Sequence, residues 1–243
     1  MQMTQDHNEY GSKWDRYWRQ TPARVGEALW DCAPDYAAAR DLVHCRAAFD
    51  DALPVVDLGC GNGTQTRYLA QHFRRVIGLD VSREGIELAH ALNSSGNLEY
   101  KVLDALDPEA VEAFHDARGD VNVYMRTVLH QMAGPDRRRL VAAVSDLIGE
   151  RGRAFLYELS PSAEPYFASL AAEYGAPPPK LQRVFACGIV PGALAEGEAV
   201  AMFATEGMRP LTRGDAFIYS TQTLPSGARA RIPAEYWVFE REP

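Results

Sequence analysis

A cluster of three glycines is the first place in this sequence where residue type and spacing suggest chemistry. The run VVDLGCGNG sets Gly59, Gly61 and Gly63 directly after an apolar stretch that reads as a strand and before a stretch of helical periodicity. Glycine there permits a tight turn and lets a ligand approach the backbone closely. The spacing is G-x-G-x-G. The dinucleotide fingerprint is G-x-G-x-x-G, whose third glycine would fall on Thr64. Two acids stand in matching positions further along. Asp80 closes the next apolar run, RVIGLDV, where a carboxylate can accept both hydroxyls of a ribose. Asp104 closes the following run, NLEYKVLDA, where a carboxylate can accept from an adenine amine. A glycine loop and two acids at the ends of three successive strands describe a pocket for an adenosyl group.

Other residues near that pocket admit more than one reading. Asp57 either helps fix the glycine loop or simply caps the turn. Cys60 suits a small loop filler better than a nucleophile, since nothing near it in the sequence would activate a thiolate. His130 follows the fourth apolar run and carries an imidazole that can accept a proton, so it is a candidate general base, or else a histidine that packs and orients a neighbour. Arg126 offers a bidentate partner for an acidic substrate or a cofactor carboxylate, with a structural salt bridge as the alternative. Glu158 ends the fifth run and is a second candidate base. Tyr10, Trp14, Tyr17 and Trp18 fall on one face of a helix, which is either core or an apolar wall for an acceptor. Gln131 is a polar candidate beside the same cleft. The run Arg137-Arg138-Arg139 reads as a solvated helix face.

The elements that must position these residues follow from periodicity. Apolar runs at 53–59, 75–81, 97–105, 120–130 and 152–160 alternate with helical stretches at 64–73, 83–93, 108–117 and 135–148. Strand–helix alternation with continuous apolar strands predicts an α/β fold with a doubly wound, mostly parallel sheet covered on both faces. Ser82 is placed to cap the helix after Asp80, and Pro135-Asp136 to start another. Residues 162–174 read as helical, and Pro177-Pro178-Pro179 as extended. Segments 216–224 and 234–241 alternate like the two strands of an antiparallel hairpin. The expected organisation is an N-terminal helical cap over 1–50 and a main domain over 51–243. In that domain 51–160 holds the cofactor, and 161–243 supplies the substrate side and the closing hairpin.

Composition narrows the partners. The chain has 243 residues, 25 Lys+Arg against 33 Asp+Glu and a net charge of −8, which disfavours a phosphate-backbone binder. Cys32, Cys45, Cys60 and Cys187 lie far apart with no CxxC pair, so neither a metal cluster nor a disulfide framework is expected. No secretory signal and no apolar run of membrane-spanning length is apparent. The expectation is a cytoplasmic protein without nucleic-acid or membrane partners, as a monomer or homodimer.

Through VVDLGCGNGTQT, VIGLDVS, VLDAL and VNVYMRTVLHQM the chain resembles the class I S-adenosylmethionine-dependent methyltransferases, over roughly residues 53–160. The resemblance implies a seven-stranded sheet of order 3-2-1-4-5-7-6 with the last strand antiparallel. It implies S-adenosylmethionine as cofactor and S-adenosylhomocysteine as product; no metal is expected, since the sequence shows no evident metal triad. The loop with Gly59, Cys60, Gly61 and Gly63 would sit against the methionine part and Asp57 near its amino group. Asp80 and Val81 would hold the ribose, and Asp104 and Ala105 would flank adenine. Where many members carry a small or acidic residue, or Pro-Pro in base methylases, this chain has Tyr124-Met125-Arg126-Thr127. That departure disfavours a flipped-out base as acceptor. The reading is methyl transfer to a small, apolar or aromatic molecule, oxygen favoured and a carboxylate included. A nicotinamide-dependent oxidoreductase and a non-catalytic adenosyl-binding protein are the alternatives.

Overall fold

The computed structural model describes residues 9–24, 26–33, 37–177, 179–190, 192–224 and 226–242. The stretch before Glu9, read as lacking a secretory signal, and Pro178 of the proline run lie outside them. Seven strands form one sheet: β1 (Val55–Leu58), β2 (Val76–Asp80), β3 (Leu98–Val102), β4 (Asn122–Arg126), β5 (Ala154–Leu159), β6 (Met208–Thr223) and β7 (Arg229–Arg241). Their order is β3-β2-β1-β4-β5-β7-β6, as the resemblance implies. The first five are mutually parallel, β7 runs antiparallel to β5, and β6 pairs antiparallel to β7.

Every residue of β1, β2, β4 and β5 is buried, which is why these strands read as unbroken apolar runs and not as alternating ones. The helices are α1 (Glu9–Gln20), α2 (Ala38–Ala48), α3 (Thr64–Leu69), α4 (Arg83–Leu92), α5 (Pro108–Arg118), α6 (Gly134–Ile148), α7 (Ala163–Tyr174), α8 (Pro179–Ala186) and α9 (Glu198–Thr205). Alternate β1 residues serve opposite faces of the sheet. Val56 and Leu58 join the core with α5, α6 and α9, whereas Val55 joins the core with α2, α3 and α7. Each such side chain, withdrawn from water, contributes about 1.5–3 kcal/mol.

Helix starts carry the chemistry that their sequence announces. Ser82 Oγ accepts from the Gly85 N–H at 3.0 Å, and the Asp107 carboxylate accepts from the Glu109 N–H at 3.1 Å ahead of Pro108. The structure departs from expectation after β5. The hairpin is longer than 216–224 and 234–241, because β6 begins at Met208 and β7 at Arg229. Its added segment, MRPLTRGD, holds a proline and a glycine and shows no alternation, yet pairs because β7 offers a complete partner edge. The proline run is not wholly extended either: α8 starts at Pro179, a position where the missing N–H costs nothing. No helix among the described residues is long and apolar enough to cross a membrane.

Candidate functional site

The carboxyl ends of β1, β2 and β4 open onto a cleft of about 1080 Å³, counting the part exposed to solvent. This is where strand order reverses in a doubly wound sheet and where such sheets bind ligands. Its floor is the glycine loop, held down by the Gly59 and Cys60 N–H groups, which donate to Leu79 O at 2.7 and 3.1 Å. Gly59, Gly61 and Gly63 all have positive φ, +79°, +52° and +76°. At Gly61 a side chain is also excluded by space, since a Cβ would lie 2.5 Å from Trp18 Cζ2. Gly63 differs from its neighbours. It is the left-handed residue that starts α3, packs under Tyr100 and does not line the cleft.

The acids expected at the strand ends come together here. Asp80 accepts from the Gly61 N–H through Oδ2 and from the Ser82 N–H through Oδ1, both at 2.8 Å. Burial pushes its carboxyl up to about 6 against the pull of those two donors, and Asp15 adds to the rise. Asp57 accepts from Thr66 Oγ1 at 2.6 Å, and burial carries it to about 7. Asp104 Oδ1 accepts from the Leu106 N–H at 2.9 Å. Asp57, Cys60, Asp80, Val81, Asp104, Ala105 and Arg126 all border the cleft. Burial pushes the Cys60 thiol well up, which suits a loop filler and not a thiolate.

Arg126, at the end of β4, is 8% exposed and has a partner that spacing did not reveal. Its Nε lies 3.4 Å from Asp41 Oδ2, and the same oxygen accepts from the Tyr124 hydroxyl at 2.6 Å. The Arg126 guanidinium also stands 5.0 Å from the centre of the Tyr157 ring. Burial pushes the Asp41 carboxyl up, while Arg126 and the Tyr124 hydroxyl pull it down. Asp41 comes from α2, outside any motif, so nothing in the sequence pointed to it. Asp31 also lies outside any motif, whereas Asn62 sits within the glycine run and was passed over beside its glycines. Both line the cleft, and Asn62 Nδ2 donates to Asp31 Oδ2 at 3.1 Å.

The turn after β4 decides what the two candidate bases do. Glu158 is fully buried and lies outside the cleft. Its Oε1 accepts from the Val128 and Leu129 N–H groups at 2.8 and 2.7 Å, and its Oε2 lies 2.6 Å from His130 Nδ1. A carboxylate so engaged caps the turn and holds the histidine, and it does not itself reach the cleft. Because its oxygens serve as acceptors, His130 Nδ1 carries the hydrogen and Nε2 is the nitrogen left over. Thr127 sits at φ +63°, the non-glycine residue with positive φ among those described. The Thr127 carbonyl accepts from Gln131 Nε2 at 2.6 Å, while Gln131 Oε1 is buried without a hydrogen-bond partner. His130 lines not the cleft but a second cavity of about 480 Å³, and Trp30, Thr127 and Gln131 are walls of both.

The aromatic face divides. Tyr10, Trp14 and Trp18 line the cleft, joined by Trp30, whereas Tyr17 is fully buried and stacks on Trp30 at 5.3 Å between ring centres. Tyr17 therefore supports the wall without forming it. The helix carrying them is anchored to the Asp80 turn: Ser82 Oγ donates to Asp15 Oδ1 at 2.6 Å, and Arg19 Nε donates to Glu84 Oε1 at 2.8 Å. Of the arginine run, Arg137 is not a solvated residue. It bonds the Leu129 and Met132 carbonyls and pairs with Glu198 at 2.8 Å, securing the turn from behind. No group of three or more metal-ligating side chains occurs among the described residues.

Known proteins resemble the chain at three ranges. Residues 55–152 match a family model described as a methyltransferase domain. The crystal structure of a SAM-dependent methyltransferase from Anabaena variabilis is 35% identical, covers 96% of this chain and 95% of its own, and superposes with a TM-score of 0.91. The ubiquinone biosynthesis O-methyltransferase of Leptothrix cholodnii is 34% identical over 51% of this chain and 52% of its own length. That of Burkholderia pseudomallei is 31% identical over 60% and 64%. The chain thus spans between half and two thirds of these curated relatives. A magnesium protoporphyrin IX methyltransferase from Synechocystis with bound SAH shares the fold at 15% identity, with a TM-score of 0.59 over 97% of this chain and 98% of its own.

Proposed function

The chain belongs to the class I S-adenosylmethionine-dependent methyltransferases, and from that premise we propose that it transfers a methyl group to an oxygen of a small organic acceptor. The observation that carries the proposal is the buried Asp80 carboxylate, held by the Gly61 and Ser82 N–H groups at the edge of a glycine-floored cleft. The donor set fits S-adenosylmethionine: carboxylates for ribose hydroxyls and an adenine amine, close backbone for the methionyl chain, and an arginine for its carboxylate. Relatives named as O-methyltransferases favour oxygen over nitrogen or carbon.

Bound there, S-adenosylmethionine supplies a methyl group already made electrophilic by the positive sulfur. What remains for the protein is placement, dryness and a destination for the acceptor's proton. Asp80, with Val81 behind it, would hold the ribose, and Asp104 with Ala105 would border adenine. Gly59, Cys60 and Gly61 would lie along the methionyl chain, with Asp57 and Arg126 at its charged end. Trp14, Trp18 and Trp30 would exclude water. His130 would take the proton through Nε2, with Glu158 as the positioning residue that fixes its tautomer. The chemistry the donor would supply is its methyl carbon, which would bond to the acceptor oxygen as the carbon–sulfur bond breaks and leaves its electron pair on sulfur. The hydroxyl proton would pass to His130.

Thermal denaturation tests the donor half. S-adenosylhomocysteine should raise the midpoint and NAD should not; the reverse result makes the protein a nicotinamide enzyme. Release of S-adenosylhomocysteine with a panel of phenols tests turnover. Tight binding without release from any acceptor would leave the adenosyl-binding reading in its place.

A further inference from the structure

The second cavity lies behind the turn at 127–131, between α7, α8 and the β6–β7 hairpin, with about 480 Å³ of space counting its open part. Its walls come from Leu159, Phe167, Leu181, Val184, Ile218 and Ile232. Polar side chains meet it in a single group, Thr127, His130 and Gln131, which belongs to the turn after β4. Thr127, Gln131 and Trp30 also line the donor cleft, so the polar end of this cavity is its border with that cleft.

The chemistry at the border is that of an acceptor of hydrogen bonds. Gln131 Oε1 is buried and unpartnered, because the amide nitrogen is committed to the Thr127 carbonyl at 2.6 Å. Beside it, Glu158 occupies His130 Nδ1 at 2.6 Å and leaves the ring's other nitrogen for the cavity. Buried oxygens of this kind are satisfied in nearly all folded proteins, so a missing donor points to a ligand that brings one. No lysine or arginine lines the cavity among the described residues. An anionic ligand would lose its hydration there and gain no partner.

Resting on the methyl-transfer reading, we propose that this cavity holds the body of a neutral, apolar hydroxy compound, whose hydroxyl donates to Gln131 Oε1 on binding and turns to the neighbouring His130 for transfer. The proposal excludes the carboxylate acceptors that Arg126 alone would have allowed, because Arg126 borders the other cleft and not this cavity. It also gives the product a reason to leave: a methyl ether has no hydrogen for Gln131.

Three probes test this in the full chain saturated with S-adenosylhomocysteine: 2-naphthol, 2-methoxynaphthalene and 2-naphthoate. Methyl NMR should show 2-naphthol perturbing Leu181, Val184, Ile218 and Ile232, while Leu103 and Leu106 of the donor cleft stay still. Calorimetry should rank 2-naphthol at least tenfold tighter than 2-naphthoate and several-fold tighter than the ether. Gln131→Leu should abolish the difference between naphthol and ether. Val184→Phe, which fills the cavity, should weaken 2-naphthol at least tenfold and leave S-adenosylhomocysteine affinity within twofold. Equal or tighter binding of 2-naphthoate, perturbation confined to the donor cleft, or no 2-naphthol binding would overturn the proposal. If Val184→Phe does not fold, the native-chain NMR decides. Failure of S-adenosylhomocysteine to bind the native chain would instead sink the methyl-transfer reading, and the probes would then be scored without it.

Discussion

The two cavities on either side of the turn at 127–131 are built on opposite principles. The donor cleft is defined by polar atoms in fixed places: Asp80 held by two backbone N–H groups, Asp57 by Thr66, Arg126 by Asp41. The second cavity is defined by volume, with hydrocarbon from two helices and a hairpin and its polar groups confined to one end. A polar site fails when one atom is missing. An apolar one tolerates exchange of side chains so long as its space survives. The two halves should therefore break differently.

The largest effect is expected where the polar half is anchored. Asp41→Asn leaves the buried Arg126 without its counter-ion and should cost about 3–5 kcal/mol in urea unfolding. A loss below about 1 kcal/mol would mean that the pair does not support the cleft. Next comes Asp80→Ala, which should weaken S-adenosylhomocysteine more than tenfold by calorimetry while 2-naphthol affinity and the circular dichroism of the fold persist. If both ligands weakened together, the cavities would not be separate sites.

The mildest effect is one of pH. Burial raises Asp80 to about 6 and Asp57 to about 7, so the folded chain holds protons that the unfolded chain has released. These groups favour folding fully below about pH 4, the ordinary carboxylate range, and that contribution is lost as pH rises through about 6 to 7. Ribose hydroxyls donate best to an ionised carboxylate. S-adenosylhomocysteine affinity should therefore rise about tenfold between pH 5 and pH 7.5. Asp80→Asn should flatten that rise, and 2-naphthol binding should show none of it. A slope unchanged in the variant would assign the pH effect elsewhere.

The same contrast explains what could be read from the chain. Gly59, Gly61, Asp80 and Asp104 announce themselves because strands of a parallel sheet end together, and residues at those ends meet whatever lies between them. The sheet order comes instead from the family resemblance, because periodicity alone does not order parallel strands. Glu158 did not announce its work, since three consecutive N–H groups converge on it only after β5 has paired beside β4. Asp41 reaches Arg126 across more than eighty positions of sequence, and helical periodicity is silent about such a meeting. Tyr17 shares its face with Trp14 and Trp18, but its neighbour Trp30 arrives from a loop and turns it inward. The second cavity was invisible for the same reason: no single segment encloses it.

The wall that Trp30, Thr127 and Gln131 lend to both cavities also bears on how such a protein could diverge. Thr127 cannot be altered for one cavity alone, and its left-handed backbone already narrows the choice of replacements. The side chains of α7 and α8 line the second cavity and not the first. A lineage, or an engineer, seeking a new acceptor would find its freedom on those two helices. Changes there would reshape what is accepted and leave untouched the inherited machinery that delivers the methyl group.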